Sequence, residues 1–403
     1  MAVGLNEPEK LLPVKGVRLA SLAAGIKSSD KDDLVLLELC EGSQSSAVFT
    51  KNLFCAAPVI IAKEHLLLSR PRFLLINSGN ANAGTGQRGV EAARSSCHLL
   101  ASHTGLATTE ILPFSTGVIG QDLPVEKISK SIPQLVSLLA EDNWLKAARG
   151  IMTTDTVLKG ISRQVEISDK LITITGIAKG SGMIHPDMAT MLAYVATDAG
   201  IDNGLLENCL KRCVQRSFNA ITVDGDTSTN DACVLVATGK SGVQYKEDDT
   251  SFEKFEKVLA EVFEYLAQAI IRDGEGATKF ISLNVINALS YDDARSVAYT
   301  VAHSPLVKTA LFASDPNWGR ILAAIGRSGV AFDIDKIEIF LNDVCIVKNG
   351  GRAQSYTEDQ GQSVMSQDEI MITVDLKQGT ESAVVWTCDF SYDYVKINAE
   401  YRS

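Results

Sequence analysis

The segment running from Lys179 through Gly180, Ser181, Gly182, His185, Pro186 and Ala189 to Thr190 holds the residues best suited to chemistry in this 403-residue chain. A glycine-rich turn and a proline precede Ala189 and Thr190, which head an apolar run over 190–195. If the peptide bond before Thr190 were cut, the threonine would carry its own base. Its free α-amino group, with an ordinary pKa of about 8, would sit beside the hydroxyl. Such an amine accepts the hydroxyl proton at neutral pH, so no His/Asp pair is needed. Ala189 is small and leaves room for attack on its carbonyl. From pattern alone, a threonine that opens a buried strand is usually packing.

Other nucleophile systems are poorly supplied. The five histidines are His65, His98, His103, His185 and His303, and neither a G-x-S-x-G elbow nor an H-E-x-x-H helix is present. Gly180-Ser181-Gly182 lacks the remainder of a Walker or Rossmann fingerprint. His185, five residues before Thr190, is more readily a turn residue than a proton carrier. Cys209 and Cys213 share one helical face with Leu206 and Leu210, but no further Cys or His flanks them. They and the other six cysteines therefore read as reduced core residues, and no metal site is expected.

These residues need a scaffold. Apolar runs at 34–37, 59–62 and 73–76 read as strands, the last leading into the polar turn 77–82. Helices are predicted over 90–101, ending near Gly105, over 125–139, and over 143–148 with Asn143 as the N-cap. Alternation over 171–177 gives a strand that ends at Lys179. Amphipathic helices follow over 205–216 and 252–270, then strands at 337–341, 344–347, 371–376 and 384–389. The polar stretch 354–369 reads as a surface loop. Short strands with intervening helices predict an α/β or α+β layered fold with mixed sheets packed against helices.

A formal net charge of −11 and the lack of any dense Lys/Arg block argue against nucleic acid or an anionic membrane as partner. Charged residues interrupt the N-terminus, so no export signal is read there and a cytoplasmic location is expected. No run of about 18 apolar residues predicts a membrane span.

The string KGSGMIHPDMATMLAYVATDA resembles the cleavage-site motif of the ornithine acetyltransferase family, also called the bifunctional glutamate N-acetyltransferases of arginine biosynthesis. Seven further segments resemble it in order: 77–82, 115–120, 152–156, 218–231, 273–280, 315–320 and the tail 394–403. The family often has a cysteine where this chain has Gly84.

The resemblance implies a self-processing N-terminal-threonine fold. Cleavage between Ala189 and Thr190 would give an alpha chain, 1–189, and a beta chain, 190–403. It implies acetyl transfer from N2-acetyl-L-ornithine to L-glutamate through acetyl-Thr190, with two alpha and two beta chains in a heterotetramer. Thr116 and Gly117 would donate to the oxyanion. Thr153, Lys179, Thr190, Glu275, Asn398 and Ser403 would bind substrate, with Lys179 on the α-carboxylate and Glu275 on the side-chain ammonium. The adjacent Thr154 and Thr156 leave the register of Thr153 open. No cofactor is implied; some family members also take acetyl-CoA as donor, and the residues do not choose between the two specificities. The competing chemistry is an N-terminal-threonine amidase or aminopeptidase with water as acceptor. The bland alternative is a binding protein in which residue 190 is only core.

Overall fold

The computed structural model describes residues 2–27, 30–167, 169–185, 191–246 and 251–400. They fall into two compact units, one of Glu7–Asn219 with Asp226–Ile270, the other of Met1–Asn6, Ala220–Gly225 and Ile271–Ser403.

The larger unit stacks two sheets. One has four strands in the order Val17–Leu22, Leu34–Leu39, Phe73–Asn80 and Ile111–Val118. The other has five, in the order Gln44–Phe49, Ala232–Ala237, Leu192–Thr197, Lys170–Lys179 and Lys159–Ile167. Side chains alternate faces along a strand, and both faces of the four-stranded sheet are buried. Leu19, Val35, Leu37, Leu74, Ile76, Leu112 and Phe114 share a core with Ile177, Leu192, Tyr194, Ala196 and Val234 of the other sheet. The rings of Phe114 and Tyr194 meet edge-on across it, 5.4 Å between centroids. On the opposite face Leu34, Leu36, Phe73, Leu75 and Ile111 meet the helices Gly86–Thr104 and Val125–Ser137. The helix Phe252–Arg272 covers the far side of the five-stranded sheet. A Cβ on Gly176 would come within 2.9 Å of Leu266 there, so only glycine admits the helix this closely. The layers therefore run helix, sheet, sheet, helix.

The smaller unit is built on a mixed seven-stranded sheet. Its interior strand Phe280–Ala288 runs parallel to Glu369–Asp375 and antiparallel to Glu381–Cys388. Ile281, Leu283 and Val285 are buried against the helices Tyr291–Ala302, Pro305–Phe312 and Trp318–Gly326, while Ser282, Asn284 and Ile286 are half-exposed. The mixed α/β class expected from the sequence is observed.

Two local expectations are corrected, and a third, Asn143 at the N-cap position, holds without the side-chain cap. Residues 59–62 belong to the helix Ala57–Leu68, with Pro58 in its first turn and Pro58, Ile61, Ala62 and His65 forming a buried stripe at helical spacing. The 354–369 stretch contains the helix Glu358–Met365, opened by a capping box between Thr357 and Gln360. Asn143 precedes the helix Trp144–Gly150 but makes no side-chain cap; its amide donates instead to the carbonyls of Leu19 and Leu138. All eight cysteines are free, five of them buried. No described helix is long and apolar enough to cross a membrane.

Candidate active site

Alternation carries two polar side chains to the end of the intersheet core. Leu112 and Phe114 face that core from one sheet, and Thr116 follows two residues on. Ile177 faces it from the other sheet, and Lys179 again follows two residues on. The two ends converge: Lys179 Nζ lies 3.4 Å from Thr116 Oγ1. Lys179 is nearly buried, with 11% of its side chain exposed, and Thr116 is half-buried. An amine and a hydroxyl held at one rim of a low-dielectric core suit recognition of a small anionic group.

Asp155, wholly buried, fixes this lysine. Its Oδ1 accepts from Lys159 Nζ at 2.6 Å and from the Gly180 amide at 2.7 Å. Its Oδ2 accepts from the Thr153 amide at 3.0 Å and lies 3.9 Å from Lys179 Nζ. Burial alone would raise the pKa of this carboxyl. The charges of Lys159 and Lys179, with the hydrogen bonds from Lys159 and Thr153, outweigh it and hold Asp155 well below the usual carboxylate range. Thr154 adds a second tie, its hydroxyl 2.7 Å from that of Ser181. The loop over 153–155 is thereby locked to the turn after Lys179.

Thr116 and Gly117 end the strand Ile111–Val118, which pairs in parallel with Phe73–Asn80, Ser78 opposite Thr116 and Gly79 opposite Gly117. Gly117 has φ +133, and a Cβ there would strike the backbone of Gly79 and Asn80. The asparagines of 77–82 pin the surrounding turns. Asn77 donates to the Asn80 carbonyl, Asn80 to those of Gln121 and Asp122, and Asn82 to that of Gly89. Asn230, just before the strand Ala232–Ala237, donates to the carbonyls of Ala81 and Ser115 and so ties the two sheets together beside Thr116. Next to it Asp231 is buried, and its Oδ2 has no partner among the described residues; burial drives its pKa well above the carboxylate range, against a hydrogen bond from Ser228 and the charge of Lys179.

In the smaller unit Glu275 and Asn398 come together. Glu275 is buried in the turn after the helix Phe252–Arg272, and its Oε2 accepts from Asn398 Nδ2 at 2.9 Å. Asn398 lies on the terminal helix Tyr392–Ala399. Gly276, at φ +69, lets that helix lie against the turn, since a Cβ would strike the Tyr394 amide. Ser391 Oγ donates to the Gly276 carbonyl at 2.5 Å. The tail is thus tied down as far as Glu400.

Of the residues singled out from sequence, the fold joins Thr116 to Lys179 and Glu275 to Asn398. Thr153 touches the first cluster through its amide, whereas the side chain engaged with the turn is that of Thr154. Ala189, Thr190 and Ser403 lie outside the described residues. Asp155, Lys159, Asn230 and Asp231 were not singled out individually. Asp155, Asn230 and Asp231 do lie inside motifs that carried the family resemblance.

The sequence profile of the ArgJ family matches residues 18–403. An arginine biosynthesis bifunctional protein ArgJ from Methylococcus capsulatus is 55% identical over 396 residues, 98% of this chain and 97% of its own. One from Pseudomonas fluorescens is 52% identical over 406 residues and covers both chains fully. A crystal structure of arginine biosynthesis bifunctional protein ArgJ from Bacillus halodurans is 40% identical, with a TM-score of 0.50, over 52% of this chain and 98% of the solved one.

Proposed function

The chain belongs to the ArgJ family, and from that premise we propose that it is an acyltransferase of arginine biosynthesis that moves acetyl from N2-acetyl-L-ornithine to L-glutamate on Thr190. In maturation, Thr190 Oγ attacks the Ala189 carbonyl and the amide nitrogen becomes a free amine. Water then hydrolyses the resulting ester, leaving a carboxylate on Ala189. In turnover the amine takes the hydroxyl proton as Oγ attacks the acetyl carbonyl, and that proton leaves on ornithine. The glutamate amine then attacks acetyl-Thr190, acetylglutamate departs, and Oγ regains a proton.

The observation that carries this reading is the strand register. Lys179, 3.4 Å from Thr116, pairs with Leu192, two residues after Thr190. The oxyanion roles proposed for Thr116 and Gly117, and the α-carboxylate role for Lys179, rest on that convergence. Glu275 takes the substrate ammonium and Asn398 supports it, a role proposed on their own cluster; Thr153 and Ser403 are proposed as further substrate contacts.

The length of a solved relative favours cleavage before Thr190, and the sheet order accommodates it. The Bacillus halodurans match takes in 52% of 403 residues, about 210, and 98% of the solved chain, which makes that chain about 214 residues long. Residues 190–403 number 214. Cleaved segments would stay interleaved. Leu192–Thr197 lies between Lys170–Lys179 and Ala232–Ala237, and the latter also pairs with Gln44–Phe49. We extend the proposal to a cytoplasmic heterotetramer of two alpha and two beta chains that needs no cofactor. The relatives named bifunctional lead us to propose acetyl-CoA as a second donor.

N-terminal sequencing tests the core of this. Wild type should show a second start at Thr190, and Thr190→Ala should give one uncut, inactive polypeptide. Active, uncut Thr190→Ala protein would falsify the proposal. Consumption of acetylornithine independent of glutamate would point instead to a hydrolase.

A further inference from the structure

Donor and acceptor in the proposed reaction differ in one respect that the site must accommodate. Acetylornithine ends in an ammonium, whereas glutamate ends in a second carboxylate. An anion such as Glu275 suits the first and repels the second, and Lys179 is already committed to an α-carboxylate. Besides Lys179 and the buried Lys159, Lys27 brings a further amine to this end of the four-stranded sheet.

Its position is built. The carboxylate of Asp33 is fully buried and accepts from three successive parts of the preceding loop, the amides of Ala24, Ile26 and Lys27, at 2.6, 2.5 and 2.8 Å. This clamp sets the Lys27 backbone. The stem of the side chain then crosses Gly79, where a Cβ would come within 2.8 Å of Lys27 Cγ. Gly79 is the register partner of Gly117, so the stem lies against the strand beside the proposed oxyanion donors.

The head group has no carboxylate partner within ion-pair distance among the described residues. Its Nζ donates to the Asp32 carbonyl at 2.9 Å, while the Asp32 carboxylate is taken by Ser21. Lys27 is half-exposed; among charges it feels Asp33 most, then Lys31, and more weakly Asp155 and Lys179. Asp155 is already occupied by Lys159 at 2.6 Å. With the Asp33 carboxylate taken by three amides and that of Asp155 by Lys159, the Lys27 amine favours an incoming anion.

We propose that Lys27 is the acceptor-specificity residue, binding the side-chain carboxylate of glutamate while Lys179 binds the α-carboxylate. This rests on the acetyl-transfer reading above. Burial brings the Lys27 amine down to about 8, opposed by Asp33 and Asp155 and assisted by Lys31 and Lys179. Lys127 also reaches this loop, on the Gly25 carbonyl. The cation is therefore present below about pH 8 and lost above it, and its contribution to glutamate recognition should fade over the same range.

The test separates the half-reactions in the full-length, self-processed enzyme. Acetyl-enzyme is formed with acetylornithine, freed of ornithine, and challenged with glutamate or glutamine. For Lys27→Gln, kcat/KM toward glutamate should fall about 10- to 100-fold, the range for losing a charged hydrogen bond. Toward glutamine it should change much less, and Lys27→Arg should recover part of the glutamate rate. The wild-type to Lys27→Gln ratio should shrink above about pH 8; the glutamate amine titrates identically with both proteins and cancels. Equal losses with glutamate and glutamine, or no loss with either, would overturn the assignment. Failure of wild type to acquire acetyl at all would instead overturn the transfer reading on which the assignment stands.

Discussion

The two polar clusters are built by different means. Thr116 and Lys179 prolong strands buried on both faces, and their side chains are placed by alternation from Phe114 and Ile177. Glu275 and Asn398 belong to a turn and a terminal helix, in a unit whose strand Phe280–Ala288 is buried on one face only. The first pair is held by sheet register and by a buried ion-pair network around Asp155. The second is held by the Asn398 amide on Glu275, by Ser391 on the Gly276 carbonyl and by the close approach that Gly276 permits. A substitution in the first should therefore damage the fold or the whole reaction, whereas one in the second should tune a single binding step.

The largest effect is expected at Asp155. Asp155→Asn removes the carboxylate that lies 2.6 Å from the fully buried Lys159, and breaking a buried pair on one side typically costs about 3–5 kcal/mol. Urea unfolding should show that loss at pH 7. The folded carboxyl is held below its ordinary value of about 3.9, so its stabilisation is complete above about pH 4 and is lost as pH falls through the folded value. The gap between wild type and variant should narrow only on the acid side. A gap that is constant from pH 7 to pH 3 would remove Asp155 from its place at the centre of the network.

Lys179 should separate function from stability within the same cluster. Lys179→Met keeps the stem and removes the charge, and Asp155 retains Lys159 at 2.6 Å. The cost to folding should stay near 1 kcal/mol, while kcat/KM for acetylornithine should drop about 10- to 100-fold. An unchanged kcat/KM would show that the carboxylate binds elsewhere.

The sequence exposed the first cluster more readily than its supports. Strand ends at Lys179 and within 77–82 were visible because apolar alternation stops at glycine and asparagine, which accept positive φ at little cost. The helix Ala57–Leu68 was hidden because a four-residue apolar run fits either period; only the stripe from Pro58 to His65 reveals the helix. The polar helix Glu358–Met365 shows its capping box in sequence but little hydrophobic pattern. The strand glycines beside Lys27 could not be read locally at all. Gly79 and Gly117 are brought beside it only by the pairing of Leu34–Leu39 with Phe73–Asn80 and of that strand with Ile111–Val118. Asp155 serves Lys179 across 24 residues of sequence for the same reason, since the hairpin Lys159–Ile167 with Lys170–Lys179 returns the chain to its starting end.

The smallest effect, and the sharpest check on the contrast, concerns Asn398. Its amide donates to Glu275 at 2.9 Å and to the Tyr394 carbonyl at 3.0 Å, and its side chain is exposed. It orients a carboxylate rather than holding the unit together. Asn398→Ala should therefore leave the melting temperature nearly unchanged and raise KM for acetylornithine about 5- to 10-fold, less than the loss of a charged hydrogen bond made directly to substrate, with kcat little altered. If the residue acts only through Glu275, it should have no further effect once that charge is gone. Asn398→Ala added to Glu275→Gln should then match Glu275→Gln alone, a coupling that a double-mutant cycle measures directly. Additive losses would mean that Asn398 meets the substrate in its own right, and the terminal helix would then be a binding element and not merely a brace.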